Sequence, residues 1–164
     1  MKYIFFATLV LTFAACRQPE GDSKVLQDRI DNLEKKLSDS YKPGLGEFMS
    51  AIQVHHAKLW FAGSSQNWRL ADFEIQEIKE SLDDIQKYCA DRTEVKSIPM
   101  LTPAVDSVTQ AILHKNNDSF KSGFVFLTNT CNSCHQSTNH EFNVIRIPDN
   151  PPFSNQVFKN EPSR

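Results

Sequence analysis

Trp68-Arg-Leu-Ala-Asp-Phe-Glu-Ile-Gln-Glu-Ile-Lys-Glu-Ser-Leu-Asp-Asp-Ile-Gln-Lys-Tyr-Cys89 carries apolar side chains at Trp68, Ala71, Ile75, Ile78, Leu82, Ile85 and Cys89. The steps between them alternate strictly between three and four residues. That period excludes a strand, whose faces alternate every two residues, and describes one narrow seam along a helix. A seam sustained over three heptads belongs to a helix packed at a small crossing angle inside a bundle. Ala71 is the one small residue among large ones, so a neighbour can approach closely there. Cys89 closes the seam and reads as a small buried hydrophobe.

The flanking segments repeat this character. Before the seam, Leu45, Phe48, Met49, Ile52, His55, His56 and Leu59 share one helical face over about Leu45 to Ala62, and Gly63 is the expected stop. With Ile52 at the centre and ~100° per residue, His56 and Met49 fall on one side of the stripe, Phe48 and His55 on the other. After the seam, 91–101 reads as a connection. Thr102-Pro103 then offers a hydroxyl N-cap and a proline at the first helical position, opening a short helix through Val105, Val108 and Ile112. His114 at its end reads as a C-terminal charge partner. Asp118 is a candidate cap for a last helix in which Phe120, Phe124, Leu127, Cys131 and Cys134 recur at spacings of 4, 3, 4 and 3.

These segments predict an all-α fold: a four-helix bundle over 43–142, preceded by an extra helix and followed by an extended tail over 143–164. The extra helix, 25–42, is amphipathic and coiled-coil-like, with Leu26, Ile30, Leu33 and Leu37 in 4, 3, 4 spacing. It suits a stalk, a homo-oligomerisation helix, or a helix laid on the domain. Strand alternation is weak everywhere and strongest in Phe142–Ile147. Pro151-Pro152 bars helix in the tail, whose Phe153, Val157 and Phe158 give it apolar contacts to make along the bundle.

Cys131-Asn132-Ser133-Cys134-His135 names a chemistry most directly. Two thiols three residues apart, with an imidazole beside the second, fit covalent haem attachment. Each thiol adds across a porphyrin vinyl group and the histidine becomes the proximal iron ligand. A structural zinc site would need a second Cys or His pair, and none has matching spacing. A thioredoxin-type dithiol belongs at a helix start in a βαβ setting, whereas this pair lies near a helix end. A disulfide between the two would be strained within a helix. One covalent haem c, held by Cys131 and Cys134 with His135 on iron, is therefore the expected cofactor.

A helical domain whose last helix carries this motif near its C-terminus resembles the cytochrome c′ and c-556 group of bundle cytochromes. The resemblance spans roughly 41–140 in architecture, and Cys131, Cys134 and His135 in motif. The segment Ile52-Gln-Val-His55-His56-Ala-Lys-Leu-Trp60-Phe-Ala-Gly63, with Asn67-Trp68 and the tail, is also similar to small exported bacterial haem proteins. A basic residue one turn after the haem histidine is common in the c′ group; Thr138 and Asn139 stand there instead. The resemblance implies that a first-helix side chain lies over the haem's distal face. Met49 is the first candidate for distal ligand, then His56, with His55 the runner-up; a non-ligating residue would leave iron open to NO or CO. His140, five residues after His135, suits a propionate contact or an exposed position.

The first fifteen residues place Lys2 before an apolar run ending in Phe13-Ala14-Ala15-Cys16, the pattern of an export signal. The run is shorter than the roughly 20 residues a membrane span needs. It resembles a bacterial lipobox with phenylalanine for the usual leucine, which implies lipidation at Cys16; cleavage near Ala15 without lipidation is the alternative. Residues 16–24 then read as a tether. The expected product is an exported monohaem c-type cytochrome in the cell envelope, lipid-anchored to a membrane and facing the periplasm or the cell surface. Its expected work is electron transfer with redox partner proteins; the alternative is a five-coordinate haem module that binds small gases. A formal net charge of −2 over 164 residues, without a basic stretch, argues against nucleic acid. No nucleophile–base pair, phosphate loop or carboxylate pair suggests an enzyme.

Overall fold

A computed structural model describes residues 20–38, 40 and 43–159. The expected export signal and Cys16 lie outside them. The regular structure of the described residues is all helical, with no strand, and none of their helices is long and apolar enough to cross a membrane. The chain divides into two units at Lys42 and Pro43.

The first unit holds α1, Glu20–Ser38. It begins at Glu20, so residues 20–24, expected as tether, are helical instead. The heptad residues Leu26, Ile30, Leu33 and Leu37 are all exposed.

The second unit contains α2 (Leu45–Ser64), α3 (Trp68–Tyr88), a 3₁₀ segment (Thr93–Leu101), α4 (Thr102–Leu113) and α5 (Asn117–Ser137). α2 packs on α3, α3 on α4, α4 on α5, and α5 returns to α2, while the 3₁₀ segment lies against α3, α4 and α5. The α3 seam is buried as its spacing requires, from Ala71 through Ile75, Ile78, Leu82 and Ile85 to Cys89. An aromatic cluster joins α2, α3 and α5. Phe120 sits 6.4 Å from Trp60, 6.1 Å from Trp68 and 6.0 Å from Phe124, centroid to centroid.

Helix ends differ from the sequence expectation in informative ways. α2 does not stop at Gly63. It runs one residue further and closes in a Schellman motif, Asn67 N–H on Ala62 O and Gln66 N–H on Gly63 O, both 2.9 Å. Gln66, not glycine, takes the left-handed position at φ 58°. Gly63 has a different duty: a Cβ there would strike the Phe120 ring. The same motif ends α4, with Lys115 at φ 52°, and α5, with Asn139 at φ 60°. His114 is the α4 C-cap residue, its Nδ1 donating to Gln110 O at 2.8 Å. Thr102 does not cap α4, because the preceding 3₁₀ segment runs directly into that helix. The α5 cap is Asn116, whose Oδ1 accepts from Ser119 N–H at 2.9 Å; Asp118 lies inside the first turn, where its charge suits the helix dipole.

The tail packs. Phe158 is buried with its ring 5.7 Å from Phe61, and Phe153 lies beneath Lys58 Nζ at 5.8 Å. Phe142–Ile147 does not form a strand: Phe142 lies in a turn closed by Asn143 N–H on His140 O at 2.9 Å, and 143–147 is irregular.

Candidate functional site

α5 carries the site because its apolar stripe continues into the cysteines. Phe120, Phe124 and Leu127 are buried in the core, and one turn on Cys131 is half-buried and Cys134 buried. Both thiols are free and line a cavity of about 510 Å³. That volume lies within the ~300–1,000 Å³ of cofactor and small-molecule pockets. α2 contributes Met49, Ile52 and His56, α3 contributes Ile78 and Leu82, and the 3₁₀ segment contributes Ile98. Arg92 and Glu94 line it too, paired at 2.7 Å, and the Arg92 guanidinium holds the Glu94 carboxyl down at about 2.

Burial pushes the Cys131 thiol up to about 12, with the neighbouring Cys134 adding to the effect, and burial also raises Cys134. A dithiol oxidoreductase needs the opposite displacement, since the thiolate is the nucleophile. Among the described residues no group of three or more His, Cys, Asp or Glu could hold a metal ion.

His135 is oriented by the chain that follows it. The Schellman turn at Asn139 brings His140 N–H onto His135 O at 2.7 Å and reverses the backbone. Asn143 O is thereby set 2.6 Å from His135 Nδ1, which must donate to it. A neutral imidazole protonated at Nδ1 keeps its lone pair on Nε2, the arrangement of an oriented metal-ligand histidine. The same returning segment is gripped by the first variable residue of the motif. Asn132 Nδ2 donates to Ile145 O and Ile145 N–H donates to Asn132 Oδ1, both at 2.8 Å. Asn132 and His135, three residues apart and so on one helical face, hold the 143–145 segment, of which Asn143 and Ile145 line the cavity. His140 also lines the cavity, its Nδ1 donating to Thr138 O at 2.7 Å.

The two first-helix histidines part company. His56 is buried against Phe124, ring centroids 4.4 Å apart, with Nε2 2.9 Å from Thr128 Oγ1. The Thr128 hydroxyl donates to Phe124 O at 2.9 Å, so it accepts from His56 Nε2–H. Burial lowers the His56 pKa to about 4, keeping the ring neutral. His55 turns instead toward α3, its Nδ1 2.7 Å from the fully buried Glu74 and its Nε2 3.8 Å from Glu77. The other Glu74 oxygen lies 3.5 Å from Lys58 Nζ. His55 is not among the residues that line the cavity, whereas Met49 is.

Sequence reasoning did not single out Asn132, Asn143, Thr128, Glu74 or Arg92. Their roles come from partners 13, 8, 72, 19 and 2 residues away. Only Arg92 and Glu94 were close enough in sequence to suggest a pair. Comparison with protein-family models, curated proteins and solved structures gave no match.

Proposed function

We propose that residues 43–142 form a four-helix haem-binding bundle carrying one covalent haem c, and that the protein is an exported monohaem cytochrome for electron transfer in the cell envelope. The observation that carries this reading is the His135 Nδ1 bond to Asn143 O at 2.6 Å, on a helix whose two free thiols line the same apolar cavity. The residues suit the group. Cys131 and Cys134 would anchor it, and His135 Nε2 would ligate iron with its basicity raised by the Asn143 carbonyl. Ile52, Ile78, Leu82 and Leu127 would exclude water from it. Haem, when bound, supplies reversible one-electron chemistry whose potential depends on axial ligand and burial.

Of the distal candidates, Met49 is favoured as the cavity-lining methionine of the first bundle helix; His56 also lines the cavity and, with Nε2–H given to Thr128, keeps its Nδ1 lone pair as the second candidate, whereas His55 faces Glu74 outside the cavity. The second reading, a five-coordinate gas-binding module, is favoured by one observation. A further cavity of about 360 Å³ shares Gln53, His56 and Ile145 with the first, leaving room on the His56 side.

Expression with the bacterial cytochrome-maturation machinery tests the proposal: haem should remain on the denatured chain and be lost from it when Cys131 and Cys134 are both changed to alanine. A chain that never acquires haem would sink it. Reduced spectra with and without CO separate the two readings. Met49 ligation predicts slow or absent CO binding in the native chain and rapid binding in Met49→Ala. Rapid CO binding by the native chain selects the gas module instead. Membrane anchoring through a lipid on Cys16 is part of the proposal, tested by incorporation of labelled fatty acid that Cys16→Ala abolishes.

A further inference from the structure

α1 is a 19-residue helix with an apolar stripe that no described residue of its own unit covers: Leu26, Ile30, Leu33 and Leu37 are 60, 47, 57 and 72 % exposed. An isolated helix of this length is marginal in water, and its stability comes from burying such a stripe. The stripe fits a heptad with Leu26 and Leu33 at d and Ile30 and Leu37 at a. Isoleucine at a with leucine at d suits two parallel strands.

The flanking charges choose an occupant and a direction. Arg29 falls at g and Glu34 at the following e, and a g residue faces the next e residue of a parallel partner. Two copies side by side therefore place Arg29 opposite Glu34 twice. An antiparallel pair would instead bring the g residues Arg29 and Lys36 together, like against like. We propose that α1 pairs with α1 of a second copy of this chain as a parallel, in-register coiled coil. It is closed by Leu26, Ile30, Leu33 and Leu37 and registered by Arg29 against Glu34 of the partner subunit. This pairing is independent of the haem reading.

Disulfide trapping in the full chain tests both partner and direction. Ser23 continues the seam one turn before Leu26, while Asp28 lies on the outer face. Under mild oxidation Ser23→Cys should give a covalent dimer, well above Asp28→Cys and above the chain with no added cysteine. Adding Arg29→Glu to Ser23→Cys should cut the yield about tenfold by setting like charges opposite each other. Adding Glu34→Arg as well should restore it. Ser23→Cys chains carrying only Arg29→Glu should cross-link to those carrying only Glu34→Arg, because the mixed pair is complementary at both positions. Sedimentation of the native chain at micromolar concentration should give twice the monomer mass. Three results each overturn the proposal: a monomer with equal trapping at 23 and 28, a dimer that Ser23→Cys does not trap, and charge variants that fail to rescue one another.

Discussion

Replacing Gly63 with alanine sets two opposed effects against each other. Gly63 lies inside α2, so alanine should gain helix propensity, about 1 kcal/mol. The added methyl, however, would land on Cζ, Cε1 and Cε2 of Phe120. That ring is fully buried and enclosed by Trp60, Trp68 and Phe124. Carbon atoms in contact sit ~3.5–4.0 Å apart, so the ring must retreat by roughly 1 Å or more into neighbours with no space to yield. Overpacking of a tight core costs about 1–3 kcal/mol, and this case belongs at the upper end. The net expectation is a loss of about 2 kcal/mol, or roughly 8 °C in Tm for a unit of this size. Urea denaturation of the purified chain measures it. Gly46→Ala is the control, since nothing lies within 4 Å of a Cβ there. It should keep the propensity gain and be neutral or slightly stabilising. Phe120→Leu should relieve the clash, so that the double variant with Gly63→Ala loses at least ~1 kcal/mol less than the sum of the singles. A Gly63→Ala chain as stable as the parent would refute the packing argument outright.

Three further outcomes follow from buried polar groups. His56, held neutral by burial with a pKa of about 4 against 6.5 for the ordinary group, makes the unfolded chain bind the extra proton between those values. Stability should therefore fall as pH drops from about 6.5 toward 4, by about 3 kcal/mol in total, and the fall should shrink in His56→Gln when urea midpoints are compared at both ends. His55→Ala leaves the Glu74 carboxylate buried with only Lys58, at an expected cost of about 3 kcal/mol. Glu74→Met, which replaces the charge with an apolar chain while His55 and Lys58 reach solvent, should cost much less; equal losses would contradict this. Asn132→Ala removes both bonds to Ile145 and should raise hydrogen exchange at the Ile145 amide at least tenfold, with a global loss of only about 1–2 kcal/mol.

What the sequence made legible was whatever a helix writes on its own surface. The α3 seam from Ala71 to Cys89 is buried residue for residue, and the α5 stripe leads the two cysteines into the cavity because spacing alone puts them there. Helix ends were less readable, because Gln66, Lys115 and Asn139 fill left-handed positions where glycine is the usual signal. Gly63 misled for the converse reason: it answers to an aromatic ring 57 residues away (120 − 63), not to its own backbone. Glu74 lies about 60° from the middle of the α3 seam at ~100° per residue, nearer than Glu77 or Glu80, but helical angle alone does not say that a carboxylate there is buried; its partner His55 comes from another helix. The two histidines of α2 flank one stripe at similar angles, and only their partners, Thr128 and Glu74, separate them.

The segment at 143–145 is held by side chains of one helical turn, with no neighbouring strand to zip against. Its three bonds, two from Asn132 and one from His135, cannot be lost one residue at a time from an edge, as a frayed ladder would lose them. The segment is therefore pinned from one helical turn, so its opening should be a single local event, not progressive fraying. Hydrogen exchange at the Ile145 amide should then report opening of the whole segment and not loss of one bond at its edge.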